Sequence, residues 1–72
     1  MTLGEKLKKA RKDAGMTRAD LSRLAGISAN TIANYENAGA EPSFFNICCL
    51  SRALHLSLDY LAGFDGGNDN DK

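Results

Sequence analysis

Seventy-two residues, 43% hydrophobic and 25% charged, describe one small globular domain whose core leaves a thin stability margin. No apolar run approaches the roughly 18 residues of a membrane span, and the charged opening MTLGEKLKKARKD lacks the apolar stretch of a signal peptide, so a cytoplasmic protein is expected. Nine basic and nine acidic residues cancel overall, yet residues 1–23 balance at +4 (seven basic against Glu5, Asp13 and Asp20) and residues 24–72 at −4 (two basic against six acidic).

Caps and apolar periodicity predict five helices. The first opens at TLGE, where Thr2 caps and Glu5 completes a capping box; Leu3, Leu7, Ala10 and Ala14 follow at helical spacing up to Gly15. The second repeats the device with TRAD: Thr17 caps, Asp20 stands three residues on, and Leu21, Leu24 and Ala25 face inward. Gly26 ends it, in the left-handed conformation that a sharp exit needs.

The third helix starts at Ser28 and turns Ile32 and Tyr35 inward. NAGAEPS reads as a loop, after which Ser43 caps a fourth helix bearing Phe44, Ile47, Cys48, Leu50 and Leu54. His55 falls at the next turn, as a capping or surface residue. A short fifth helix follows Ser57 with Leu58 and Leu61 inward. The division expected is an all-helical domain over 1–63 and a polar, acidic, disordered tail over 64–72.

Catalysis and metal binding find no foothold. Cys48 and Cys49, the only cysteines, are adjacent; they cannot staple distant segments, no second Cys/His pair completes a zinc site, and no neighbouring cation activates either thiol. They read as small packing groups. His55 has no nucleophile or carboxylate grouped with it by a known motif, and no glycine-rich phosphate loop is present. Neither an enzyme nor a cofactor is expected.

RADLSRLAGISANTIANYEN, residues 18–37, carries the most information. Two helices that cross closely need a small side chain where their backbones approach, here Ser22, and a turn residue that tolerates positive φ, here Gly26. Burying Ile27, Ile32 and Tyr35 leaves the opposite face of the second helix free for a major groove. This stretch resembles the Cro/repressor (XRE-type) helix-turn-helix family. The likeness extends over residues 3–62 through LGEKLKKARKDAGMTRADLS and PSFFNICCLSRALHLSLDYLAG.

The resemblance implies a compact five-helix repressor-like DNA-binding domain, acting as a homodimer on double-stranded operator DNA. The third helix becomes the recognition helix, exposing Ser28, Ala29, Asn30, Thr31, Ala33 and Asn34. Asn30 and Asn34 suit an adenine edge, while Thr31 suits a base, a thymine methyl or a phosphate. Phosphate contacts fall to Thr17 and Arg18 at the start of the second helix, to Asn37 just past the third, and to Ser43 and Phe44 at the start of the fourth. Arg11 and Glu36 match a charged pair joining the first helix to the end of the third, a structural role. The dimer surface implied involves Leu56, Leu58 and Phe64, with Leu58 better explained as monomer core.

Two departures weaken the pattern. The loop after the third helix carries Glu41 where relatives place a cation, and Ala29 stands where many place a long polar reader. Few cations imply modest affinity and a shallow salt dependence, since each neutralised phosphate adds about −0.9 to the salt slope. The alternative reading is therefore a protein-interaction module on the same fold, such as an antitoxin or regulatory partner. Immunity repressor, autoregulating antitoxin and switch protein stay open as regulator classes. No sensor domain is expected within these residues.

Overall fold

The computed structural model describes residues 1–63; the expected tail over 64–72, with Phe64, lies outside the described residues. Five helices follow in order: α1 (Leu3–Asp13), α2 (Arg18–Ala25), α3 (Ala29–Asn37), α4 (Phe44–Leu54) and α5 (Leu58–Ala62). No strand occurs among the described residues. The architecture is all-α, as the periodicity predicts.

Each helix begins at a hydroxyl. Thr2, Thr17, Ser28, Ser43 and Ser57 each accept a hydrogen bond from the backbone amide three residues on, at 3.0–3.1 Å. Such a cap is worth about 1 kcal/mol. At Thr2 and Thr17 the box is complete, because the Glu5 and Asp20 carboxylates accept from the cap residue's own amide. These caps are local chemistry, and local chemistry is what sequence shows best.

The core gathers Leu7, Leu21, Ala25, Ile27, Ile32, Tyr35, Leu50, Leu54 and Leu61, with Leu7, Leu21, Ile32 and Leu50 wholly enclosed. Helix α3 packs on α1 and α2, α4 on α2 and α5, and α5 returns to α1. Lys6 of α1 closes that ring by donating from Nζ to the Tyr60 carbonyl at 2.7 Å, with its ammonium over the Tyr60 ring.

Three expected inward positions are corrected. Leu24 is 61% exposed, because Leu21 and Ala25, four apart, already form the inward stripe of α2. Leu58 is exposed too, and Leu61 alone carries the burial of α5. Ala14 is exposed and caps α1 rather than extending its apolar face, since the helix ends at Asp13.

Glycine matters in two places. Gly26, at φ 72°, ends α2 in the left-handed region and swings the chain into α3, with buried Ile27 in the turn. Gly4 permits contact between the α1 and α3 backbones: a Cβ there would lie 2.4 Å from the Tyr35 carbonyl oxygen and 3.0 Å from that of Glu36. Ser22, the expected point of close approach, is half-buried. His55 caps α4 in the left-handed region at φ 56° and is exposed. Cys48 and Cys49 are half-buried free thiols, and Cys49 packs on the core.

No helix among the described residues is long and apolar enough to cross a membrane.

Candidate nucleic-acid interface

Helix α3 has one face fixed and one face free. Its fixed face buries Ile32 and Tyr35 and the whole Glu36 side chain. On the other side Asn30, Asn34 and Asn37 recur at i, i+4 and i+7, so their carboxamides form one stripe. All three are exposed, and none of their side chains has a hydrogen-bond partner among the described residues. A carboxamide offers a donor and an acceptor side by side, which is the pattern a base edge presents.

The remaining residues of this face are smaller or already engaged. Ser28 accepts from the Thr31 amide and donates its hydroxyl proton to Thr31 Oγ1 at 2.8 Å, so each hydroxyl is partly satisfied within the turn. Ala29, Thr31 and Ala33 are half-buried. Glu36 is the only charged residue of α3, and it points inward. The free face is therefore neutral.

Glu36 is held by two arginines from two helices. Arg11 of α1 donates from Nε to Oε2 at 2.8 Å and from Nη2 to Oε1 at 3.2 Å, while its Nη1 donates to the Met16 carbonyl at 2.8 Å. Arg18 of α2 adds a bond from Nε to Oε1 at 3.1 Å. Burial pushes the Glu36 carboxyl up, but the bonds and charge of Arg11, and then of Arg18, outweigh it and hold the group below its usual range. The Arg11–Glu36 contact joins α1 to the end of α3. The second contact, from Arg18, is not signalled in the sequence: one carboxylate there faces seven cations in residues 1–23 with no spacing rule to choose among them.

The starts of α2 and α4 flank this helix. At α2 the Arg18 and Ala19 amides have no partner among the described residues, because Asp20 bonds the Thr17 cap and Leu21 begins the helical ladder. At α4 the Phe44 and Phe45 amides are likewise without a partner, and both rings are exposed, at 76% and 73%. Asn46 then donates from Nδ2 to the Tyr35 hydroxyl at 2.8 Å, linking the first turn of α4 to the fixed face of α3. Sequence reasoning missed Asn46. The available signal was Tyr35 itself, since a buried tyrosine hydroxyl needs a partner.

Much of the basic excess is spoken for. Lys6 binds the Tyr60 carbonyl, Lys9 pairs with Asp13, Arg23 pairs with Asp20, and Arg11 and Arg18 hold Glu36. Lys8 and Lys12 have no such partner among the described residues.

A family model described as helix-turn-helix matches residues 7–61. Over 65 residues the chain is 37% identical to the HTH-type transcriptional regulator ImmR of Bacillus subtilis, covering 90% of this chain and 51% of that protein. Repressor protein C2 of Salmonella phage P22 is 34% identical over 68 residues, 94% of this chain and 32% of that protein. The crystal structure of the P22 c2 repressor in complex with a synthetic operator superimposes with a TM-score of 0.83 at 34% identity, over 90% of this chain and 98% of that one. The chain thus spans about half the length of ImmR and about a third of C2.

Proposed function

The chain belongs to the helix-turn-helix family, and we propose that it is a sequence-specific transcriptional regulator, a repressor that sets α3 in the major groove of operator DNA as a homodimer. The observation that carries this reading is the stripe of uncommitted carboxamides on a helix whose opposite face is locked to α1, α2 and α4. A helix that reads bases must present free polar groups from a rigid support.

In this reading Ser28, Ala29, Asn30, Thr31 and Asn34 meet base edges, with the two asparagines dominant. Thr17, Arg18, Asn37, Ser43 and Phe44 meet phosphates, through free amides at the starts of α2 and α4 as much as through side chains. Residues 1–63 are the DNA-binding unit, and the setting is the cytoplasm. Exposed Leu58 and half-buried Leu56, at the turn between α4 and α5, form the proposed dimer surface. That the P22 c2 repressor, similar over 90% of this chain, is seen in complex with a synthetic operator supports operator binding for this chain.

Selection of bound duplexes from a random pool at low salt tests the proposal. A two-fold symmetric motif with half-sites about one helical turn apart is the expected result. Asn30→Ala and Asn34→Ala should then each relax preference at one position, by about 1–3 kcal/mol, with folding unchanged. Absence of any enriched motif would turn the reading to a protein-interaction module, for which the neutral face of α3 and Glu41 are the supporting features.

A further inference from the structure

We infer that buried Glu36 is a positioning residue for DNA contact: it anchors Arg18 by one corner of its guanidinium and aims the other edge at a phosphate. The inference rests on the DNA-binding reading above and assigns a task within it.

Two arginines on one carboxylate do not do the same work. Arg11 alone reaches both oxygens of Glu36 and commits its third nitrogen to Met16, so neutralising the buried charge does not require Arg18. Arg18 spends only Nε, its two Nη groups have no partner among the described residues, and its side chain stays 36% exposed. A guanidinium held at Nε has lost much of its swing, yet keeps the Nη1–Nη2 edge, whose parallel donors match two oxygens of one phosphate. Immobilising the side chain before binding lowers the entropy lost on contact.

The surroundings agree. Arg18 is the first residue of α2, and its own amide and that of Ala19 are unpartnered. Glu36 stands immediately before Asn37 at the end of α3. One buried carboxylate therefore fixes the phosphate anchor of α2 relative to the helix that reads bases.

Binding to a mixed-sequence DNA duplex across a salt series provides the test, with circular dichroism establishing a temperature at which each variant is folded. Arg18→Gln should make the slope of log K against log salt shallower by about 0.9, and weaken binding at low salt roughly tenfold, as for one charge-assisted contact. Arg18→Lys keeps the charge but not the fork, so it should keep the slope and still lose affinity. Glu36→Gln should weaken binding in the native background and add nothing once Arg18→Gln is present. Arg18→Lys binding like the native chain, or Glu36→Gln acting by the same factor in both backgrounds, would overturn the inference alone. If Glu36→Gln does not fold, the Arg18→Lys comparison decides. A native chain with no salt-dependent duplex binding would overturn the DNA-binding reading, and this inference with it.

Discussion

The starts of α2 and α4 use the same backbone device with opposite side-chain chemistry. Both are capped by a hydroxyl, both leave two amides unpartnered, and both are tied to α3 by a side-chain bond. At α2 the tie is ionic, from Arg18 to Glu36, and the box carries the Asp20 carboxylate. At α4 the tie is neutral, from Asn46 to the Tyr35 hydroxyl, and the two residues between the cap and Asn46 carry the exposed rings of Phe44 and Phe45. The difference teaches that a capped helix start with two free amides can be built twice in one domain while only one copy responds to charge. Salt and pH should act on α2 and leave α4 nearly indifferent.

The largest effect should come from breaking the ionic side at its root. Arg11→Ala leaves Glu36 buried, with only the partly exposed Arg18 to neutralise it, and frees the Met16 carbonyl. Loss of one partner from a buried pair costs about 3–5 kcal/mol; with Arg18 still present the lower figure is expected, a fall in Tm of roughly 15 °C for a domain of this size. DNA affinity should fall with it. An unchanged thermal melt would remove the Arg11–Glu36 pair from the account.

Acid separates the two starts next. The Glu36 carboxyl has its folded pKa below the unfolded value, despite the upward push of burial, because Arg11 and then Arg18 favour the charged form. Its contribution is therefore complete above the ordinary carboxylate pKa and is lost as pH falls through the depressed folded value. Asp20, lowered chiefly by the Thr17 backbone bond, has the same sign. The first turn of α4 holds no titratable group. On acidification, hydrogen-exchange protection should fall at the Asp20 and Leu21 amides before it falls at Asn46 and Ile47. Simultaneous loss at both would show that acid acts on the whole fold rather than on the ionic start.

How much of this was legible beforehand depended on range. The caps at Thr2, Thr17, Ser28, Ser43 and Ser57 and the turn at Gly26 follow from neighbours a few residues apart, and each stands where its local pattern puts it. Leu24 lies outside the core although its spacing fits, because spacings of three and four both suit a helix face and only the partner helix chooses between them. Gly4 gave no signal, since the carbonyl it must admit lies on a helix more than thirty residues away. The stripe of Asn30, Asn34 and Asn37 was readable as polar, whereas its freedom from internal partners required the packed molecule.

On the neutral side the effect is smaller. Asn46→Ala leaves the Tyr35 hydroxyl without its donor, against a ring that is almost fully buried. A neutral hydrogen bond of this kind contributes about 0.5–1.5 kcal/mol net. The loss should be the same at pH 4 and pH 7, in contrast to that of Arg11→Ala. A pH-dependent loss would mean that the α4 link is coupled to the carboxylate after all.

The smallest effect on stability, and the sharpest on the comparison, belongs to the two rings. Phe44→Ser and Phe45→Ser remove apolar surface that is already mostly in water, so each should change stability by no more than about 0.5 kcal/mol. If the start of α4 faces DNA through its amides alone, neither change alters affinity or salt slope. If the rings shield those amides from water as a phosphate docks, affinity falls while the salt slope stays fixed, because no cation is lost. A change in slope would contradict both, and would mean that the aromatic start is coupled to the charged one through the tilt of the domain on the duplex. The ratio of affinity to slope across the Phe44 and Arg18 variants thus measures how independently the two starts would act in the proposed contact with the DNA backbone.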